Sequence, residues 1–397
     1  MKLAIVYPRN WGFNRRLERW LALGERLNAE FHVICRNTDK KTSCEQAGPD
    51  LWVHRLPCFP GSGLLSSQAF FISPLWARAI RRTCQHQRID MIVVREFLLV
   101  LLTRMVVPRR IPLVLDMAEN FIAIAQIEPP PPRWSQRLAR HLVVSRLGRW
   151  LERRSCQVAD GVLVVTEENK ERLVGLGIPP GKVFVFHSVP IPAQMRTEAA
   201  DLAKWGIDTN DVLVVYLGDM DFMRGIPVVI RAAAHLKRQG ARTHFLLMGD
   251  HGRNSEVAEL VHQLGLESEV TLTGHIPFHD GLAYIASADV GLVPYLRCEH
   301  ADTTIPNKLF DYMYYGKPVV VSDARPLARI VRNHDCGLVF RSGDDVDLAR
   351  QLQKLAVQPE LRQRLGANGR HALENQYRWD HYEEQLCQFL KKLRPSA

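Results

Sequence analysis

Residues 303–323, TTIPNKLFDYMYYGKPVVVSD, place a lysine and a carboxylate at helical spacing. Pro306 suits the first turn of a helix, and Gly316 suits the position just past its end. Lys308 and Asp311 then lie on one face. Backbone N–H groups at a helix start attract anions, and Lys308 adds a positive charge there. The stretch therefore predicts a site for a phosphate-bearing ligand, with Asp311 placed to accept hydrogen bonds from a diol such as a ribose.

A second basic residue stands in the stretch LGDMDFMRG. Gly218 permits a tight strand exit, and Arg224 comes directly before the following helix, where an anion would bind. Asp219 and Asp221 invite a metal interpretation, but carboxylates spaced this way point apart and no further oxygen ligand is evident. Each stretch taken alone also fits solvent-exposed charged side chains, and that alternative stays open at this point.

The order of short and long segments predicts how these residues are positioned. Short apolar runs alternate with helix-length amphipathic segments, which is typical of parallel βα units. The series restarts near residue 211 and so predicts an α/β protein with two Rossmann-like, doubly wound domains that face each other across a cleft. The predicted domains are 1–190 and 191–375, with a C-terminal helix over 376–397 that crosses back to the first. The predicted strands are 3–8, 31–35, 91–95, 112–116, 161–166 and 182–187, then 211–218, 243–250, 270–275, 290–295, 318–323 and 337–340.

Charge divides the chain into unequal halves. Residues 1–190 carry 28 Lys and Arg against 16 Asp and Glu, whereas residues 191–397 carry 24 against 26. The basic half predicts an anionic partner such as a membrane surface, while nucleic acid is not expected because no stacking platform or nucleic-acid module accompanies the arginines. We expect neither a signal peptide nor a membrane-spanning helix, and the eight scattered cysteines suggest neither zinc nor disulfides. These features favour a cytoplasmic protein.

The segment EPPPPRWSQRLARHLVVSRLGRWLERRS combines basic and apolar residues at helical spacing. It predicts a basic amphipathic helix that lies on anionic lipid at the inner face of the membrane. A helix packed on the sheet with a solvated basic face fits equally well. The apolar positions are Trp134, Leu138, Leu142, Trp150 and Leu151.

Six stretches in the second half resemble, in the right order, the donor domain of family 4 retaining glycosyltransferases, which have the two-domain GT-B architecture. They are YLGDMDFMRGIPVVIRAAAHL, FLLMGDHG, TGHIPFHDGLAYIASADVGLVPY, PNKLFDYMYYGKPVVVSD, CGLVF and ALENQYRWDHY. The first half agrees more loosely through LVLDMAENF and the long run that begins WLERRSCQVADGVLVV.

The resemblance implies transfer of a hexosyl unit from a nucleotide diphosphate sugar to a glycan or a polyprenyl-diphosphate-linked acceptor in cell-surface polysaccharide assembly. It implies retention of the anomeric configuration and no requirement for a metal or other cofactor. Relatives commonly carry two glutamates seven residues apart on the donor helix. Here Asp311 stands at the second position, which binds the ribose, and Thr303 stands at the first. Arg224 matches the residue that contacts the diphosphate, Asp219 replaces a companion arginine, and Lys308 is expected to supply the missing charge.

The resemblance also implies acceptor-side residues in the first half. Glu119 matches an acidic family position, while Ala118 replaces the histidine of many relatives. Asp116 and Glu119 are candidates to orient the acceptor or to act as a general base. Asp116 fits equally well a structural role in capping the end of its strand. The remaining predicted residues are Arg9, Gly12 and Arg95 on the acceptor side, and Gly218, Gly249, Ile276, Pro277, Ile305, Pro306, Asn307 and Asp311 on the donor side.

Two other functions fit the same architecture. A sugar nucleotide epimerase would share the donor site but would need paired acid and base carboxylates on both faces of the sugar. A catalytically silent protein that only binds nucleotide sugar is consistent with the departures at Asp311, Thr303 and Ala118.

Overall fold

A computed structural model describes residues 1–38, 41–57, 73–127, 134–196, 198–250 and 255–394. The chain forms two compact units, which we call unit 1 (Met1–His187 with Asp380–Ala397) and unit 2 (Ser188–Trp379). Each unit contains a largely parallel sheet with helices, so the predicted α/β class with two Rossmann-like domains is confirmed. The division falls close to the boundaries predicted from the sequence.

The sheet of unit 1 has eight strands within the described ranges, in the order β3-β4-β2-β1-β5-β6-β7-β8. Its central strands form because Val, Ile and Leu runs are buried on both faces, as parallel sheets require. The strands are β1 (Lys2–Asn10), β2 (Glu30–Arg36), β3 (Cys44–Gly48), β4 (Leu51–Arg55), β5 (Met91–Arg95), β6 (Leu113–Asp116), β7 (Gly161–Val164) and β8 (Val183–Val185).

Two strands of this sheet were not predicted. β3 and β4 form the only antiparallel pair that the structure describes, at one edge of the sheet. The β3 sequence CEQAG is polar and mostly exposed, so it lacks the apolar pattern from which a strand is read. An edge strand needs only one neighbour, and β4 supplies it.

Helices flank the unit 1 sheet. They are α1 (Arg15–Ala22), α2 (Gly24–Leu27), α3 (Pro74–Gln87), α4 (Val100–Val106), α5 (Phe121–Ile127), α6 (Trp134–Val144), α7 (Arg146–Val158) and α8 (Glu167–Gly175).

The predicted single basic helix is two helices, α6 and α7. The backbone leaves the helical conformation at Ser145, whose hydroxyl caps α7 by accepting from the N–H of Leu147 at 3.2 Å. Trp150, expected on an apolar face with Leu151, is 55% exposed, whereas Leu151 is buried. The proline run at 128–133 and the side chains of Trp134 and Leu138 lie outside the described residues.

Unit 2 has a six-stranded parallel sheet in its described part, in the order β11-β10-β9-β12-β13-β14. The strands are β9 (Val212–Leu217), β10 (Thr243–Met248), β11 (Val270–Gly274), β12 (Val290–Val293), β13 (Val319–Ser322) and β14 (Gly337–Phe340). The helices are α9 (Ile226–Arg238), α10 (Ser255–Gln263), α11 (Phe278–Ser287), α12 (Asn307–Tyr314), α13 (Arg325–His334), α14 (Asp345–Val357) and α15 (Pro359–Gln376).

The last helix, α16 (Trp379–Lys392), packs on unit 1. The Tyr382 hydroxyl is 2.7 Å from His187 Nδ1, and the rings of Phe389 and Phe184 stack at 5.2 Å. No helix in the described ranges is long and apolar enough to span a bilayer.

Candidate functional site

Helix α12 carries Lys308 and Asp311 into the interior of unit 2. The helix begins at Asn307, so Pro306 is its cap, one position earlier than predicted, and Gly316 follows its end with φ 63° as expected. Lys308 is 8% exposed and Asp311 is 1% exposed, because α12 packs against both the sheet and α15. The alternative of a solvent-exposed pair is therefore wrong.

The Lys308 ammonium lies among tyrosine rings. Its Nζ is 3.8 Å from the ring centroid of Tyr216, which is in β9, and 5.1 Å from that of Tyr295, which follows β12. The face of an aromatic ring attracts cations through its quadrupole. The two rings therefore hold the charge at the carboxyl ends of the two central strands.

Arg224 reaches the same aromatic group from another element. Its guanidinium carbon is 4.5 Å from the Tyr295 centroid, and its Nε donates to Asp221 Oδ2 at 3.2 Å. A 3₁₀ turn, Phe222–Arg224, places it, and Gly225 with φ 69° then caps α9. Tyr295 thus lies beside both cations, so the structure brings Arg224 and Lys308 together, while their roles stay predictions.

The electrostatics of this group favour an anion. Burial lowers the pKa of Lys308, and the positive charge of Arg224 lowers it further. Asp219, Asp221 and Asp311 act in the opposite direction, but the pKa of Lys308 remains well below its ordinary value. A bound phosphate would relieve the repulsion between the two cations and favour the charged form of the lysine.

Two predicted glycines keep space open beside the lysine. Gly218 has φ 139°, and a Cβ built there would lie 2.9 Å from Lys308 Nζ. A Cβ on Gly249 would lie 1.9 Å from the carbonyl oxygen of Gly218. The loops after β9 and β10 can approach each other this closely only because both positions lack a side chain.

The other predicted donor-side residues lie at the carboxyl ends of strands or beside α12. Ile305 is buried directly before the helix cap. Ile276 and Pro277 join β11 to α11, two strands from β9. Thr303, at the position of the missing glutamate, is buried and donates its hydroxyl to the Glu299 carbonyl oxygen at 2.8 Å.

In unit 1 two side chains of α1 enclose Asp116. The Asp116 side chain is fully buried at the end of β6, and Arg16 Nη2 donates to its Oδ1 at 2.7 Å. Trp20 Nε1 donates to Oδ2 at 2.8 Å. Burial alone would raise the pKa of this carboxyl, but Arg16 and Arg95 outweigh it and hold the pKa below its usual range. These contacts argue against a general base and for an anchor between α1 and the sheet.

The remaining acceptor-side residues lie around the ends of β1, β5 and β6. Arg9 is exposed, Gly12 has open space around its Cα, and Glu119 is half-buried. Arg95 ends β5 as a buried side chain, with its Nε 3.6 Å from Asp116 Oδ2.

Sequence reasoning missed Glu96, which follows Arg95. It has φ 67° and ψ 155°, a backbone region that is essentially reserved for glycine. Burial raises the pKa of Glu96 to about 8. The available sequence signal was an adjacent basic and acidic pair, Arg95 and Glu96, at the end of the apolar run of a central strand, at the edge where ligands bind.

No group of three or more His, Cys, Asp or Glu side chains in the described part of the chain could hold a metal ion. Asp221, one half of the pair considered for a metal, is instead engaged by Arg224.

Family models match most of the chain. Residues 198–372 match the model described as "Glycosyl transferases group 1", and residues 12–188 match "Glycosyl transferase 4-like domain".

Two curated relatives and one solved structure illustrate the similarity. An alpha-D-kanosaminyltransferase of Streptomyces kanamyceticus is 23% identical over 57% of this chain and 58% of its own length. A lipopolysaccharide core biosynthesis glycosyltransferase of Rhizobium meliloti is 26% identical over 42% of this chain and 45% of its own length. The chain thus spans about half the length of these relatives. The structure of Anabaena HepE in complex with UDP superposes with a TM-score of 0.71 and 16% identity, covering 98% of this chain and 99% of HepE. The fold is GT-B, as the resemblance implied.

Proposed function

Since the chain belongs to the family 4-like glycosyltransferases, we propose that it transfers a hexosyl unit from a nucleotide diphosphate sugar, with retention, to a glycan or lipid-diphosphate-linked acceptor. We further propose that this reaction serves cell-surface polysaccharide biosynthesis, since the Rhizobium relative is named for lipopolysaccharide core biosynthesis. HepE has been solved with UDP and with UDP-glucose, so a UDP-sugar is the first donor to test.

One observation supports the proposal most strongly: Arg224 and Lys308 lie beside the same ring, that of Tyr295, at 4.5 Å and 5.1 Å. Two cations in a partly dehydrated site have an unfavourable energy until an anion arrives. A diphosphate gains negative charge as its bond to the sugar breaks. Cations already fixed in place stabilise that charge without the cost of reorganising solvent.

The proposed reaction needs no metal. The acceptor oxygen forms a bond to the anomeric carbon on the face from which the diphosphate leaves, and the bond from that carbon to the phosphate oxygen breaks. The acceptor proton passes to the departing phosphate oxygen. Arg224 and Lys308 do the electrostatic work that a divalent cation does in other enzymes.

A binding screen followed by a product assay tests the proposal. We expect UDP to raise the Tm of the full chain more than GDP or ADP, and UDP-glucose with octyl glycosides to give a new glycoside whose anomeric configuration, read by NMR, matches the donor. EDTA should leave the rate unchanged. Conversion of the donor to its epimer would indicate an epimerase, and nucleotide binding without any transfer or donor hydrolysis would indicate a silent protein. Either outcome would contradict the proposal.

The exposed face of α7 supports peripheral attachment to the inner face of an anionic membrane. Trp150 is 55% exposed and Leu147 is 38% exposed. The acidic residue of this helix, Glu152, is buried and paired with Arg172 at 2.8 Å, so it does not offset the surface arginines. Those exposed arginines are Arg146, Arg149, Arg153 and Arg154.

This arrangement matches what an interfacial helix requires, namely an aromatic side chain that enters the headgroup region with basic residues on both sides. The wild-type chain should co-sediment with vesicles of phosphatidylglycerol and phosphatidylcholine but not with phosphatidylcholine alone. Trp150→Ser should weaken this binding. The control Met105→Ser, at a residue 81% exposed on α4, should not. Equal binding by both variants would contradict attachment through α7.

A further inference from the structure

Glu96 combines two properties that proteins rarely keep without a use. Its backbone, at φ 67° and ψ 155°, is strained for any residue with a side chain. Its Oε2 is buried and has no hydrogen-bond partner in the described structure. Strain and an unsatisfied buried oxygen both cost stability, and such features concentrate at functional sites.

Arg95, immediately before it, offers unused donors. Its side chain is 10% exposed, and Nη1 makes no hydrogen bond among the described residues. Nε faces Asp116 Oδ2 at 3.6 Å, which is too long for a hydrogen bond. Nη2 is 3.9 Å from Glu96 Oε1, which is an ion-pair distance but too long for a hydrogen bond. A buried guanidinium and a buried carboxyl therefore lie side by side, each with unfilled hydrogen-bonding capacity.

The position is suitable for a ligand. Arg95 ends β5 and pairs in register with Asp116 at the end of β6, and the Glu96 N–H donates to the Asp116 carbonyl oxygen at 3.2 Å. β5 lies between β1 and β6, so Glu96 is at the carboxyl edge of the central strands, where open α/β sheets bind ligands. The Glu96 side chain keeps 16% of its surface exposed.

On this basis, and resting on the transferase function proposed above, we propose that Glu96 and Arg95 form a subsite in unit 1 that binds one hydroxyl group of the sugar acceptor. A rotation about the terminal carboxyl torsion, which is soft, turns Oε2 toward the exposed edge. The acceptor hydroxyl then donates to one Glu96 oxygen and accepts from the other and from Arg95.

The charges around Glu96 fit this dual role. Burial, Glu119 and Asp116 raise its pKa, whereas Arg95 and Arg9 lower it, and the result is about 8. At neutral pH the group is mainly a neutral carboxylic acid, which can both donate and accept. On β1, Tyr7 faces the same arginines, and its own pKa is raised by burial. The acceptor's hydroxyl group can also both donate and accept a hydrogen bond, so it matches the neutral form of Glu96. An ionised Glu96 could only accept.

Substitutions at Glu96 separate this role from general base catalysis. Glu96→Gln keeps a neutral group that donates and accepts, so transfer from UDP-glucose to octyl glycosides should stay within about threefold of wild type. The wild-type transfer rate should fall above about pH 8 as Glu96 ionises, and the Glu96→Gln rate should not. Glu96→Leu should lower kcat/KM for the glycoside by at least tenfold, as loss of a hydrogen bond to a charged or acidic group does. The Kd for UDP, measured by calorimetry, should be unchanged in both variants.

Two readouts do not depend on an acceptor. In the full chain labelled with ¹³Cδ-glutamate, one carboxyl resonance that is absent from Glu96→Gln should titrate near pH 8, and Glu119→Gln should move that titration toward lower pH. Glu96→Gly should raise the Tm above wild type, because glycine relieves the strain.

Loss of transfer by Glu96→Gln as large as that by Glu96→Leu would overturn the inference and indicate a general base. Titration near pH 4.5, or a Tm of Glu96→Gly below wild type, would also overturn it. If wild type binds none of UDP, GDP and ADP, the proposed transferase function fails instead, and the titration and Tm still decide whether Glu96 is a strained, neutral acid.

Discussion

Lys308→Met removes the charge of the most deeply buried cation of the site while preserving most of its volume. The ammonium is 3.8 Å from the Tyr216 centroid and 8% exposed, so water would poorly replace a contact from Nζ to phosphate. A hydrogen bond to a charged group contributes about 1.5–3 kcal/mol. Since about 1.4 kcal/mol changes an affinity tenfold, the variant should bind UDP about 10- to 140-fold more weakly.

The same change should not harm the fold. Burial and Arg224 hold the pKa of Lys308 well below its ordinary value, so the protonated lysine lowers the stability of the folded protein. The Met thioether packs well against aromatic rings, so the Tm without ligand should equal or exceed that of wild type. Isothermal titration calorimetry with UDP gives the affinity. Lys317→Met, at a half-buried lysine just after α12, is the matched control and should bind UDP as wild type does. Equal losses in both variants, or none in Lys308→Met, would refute the reasoning.

Three further outcomes follow from the same structure. Above the lowered pKa of Lys308 and below about 10.4, UDP binding should take up protons, seen as a dependence of the calorimetric enthalpy on the buffer, and Lys308→Met should abolish this uptake. Asp116→Asn should destabilise unit 1 by about 3–5 kcal/mol in urea unfolding at pH 7, because it leaves Arg16 buried without its partner. The pKa of Asp116 is lowered in the folded protein, so its contribution to stability is present above the unfolded-state pKa of about 3.9. That contribution is lost as the pH falls through the folded-state pKa, so the unfolding free energies of wild type and variant should converge in acid. Gly218→Ala and the control Gly240→Ala, with φ 139° and 68°, should each lose about 1–3 kcal/mol of stability, but only the first, whose Cβ meets Lys308, should weaken UDP binding. A Gly240→Ala variant that bound UDP equally poorly would contradict the role of Gly218.

The strands could be predicted from the sequence where all of their residues are buried. The central strand β5 coincides with its predicted range because both of its faces are covered. The edge strand β14 also matches its predicted range, although only Phe340 is fully buried there. β12 ends at Val293, before the predicted limit, because Pro294 cannot donate to a neighbouring strand. The edge strand β3 was not predicted because its residues are polar and mostly exposed. Its neighbour β4 was not predicted because the short run LWVHR mixes apolar and polar residues and is only partly buried.

The candidate site was predictable only in its charged residues. The spacing around Lys308 and Arg224 indicated an anion, but it could not show that Tyr295, in the loop after β12, lies beside both. Nor could it show that Arg16 and Trp20 enclose Asp116, since that contact depends on how α1 packs across the end of β6. Glu96 was missed because strain is a property of the backbone angles and leaves no pattern in residue type.

The central claim is that Arg224 and Lys308 together bind the diphosphate of the donor. Its most direct test compares the affinities of UDP and uridine for wild type and for the Arg224→Met/Lys308→Met double variant. We predict that wild type prefers UDP strongly, and that the double variant binds uridine as wild type does but loses its preference for UDP. A double variant that still prefers UDP to uridine by the wild-type factor would contradict the claim.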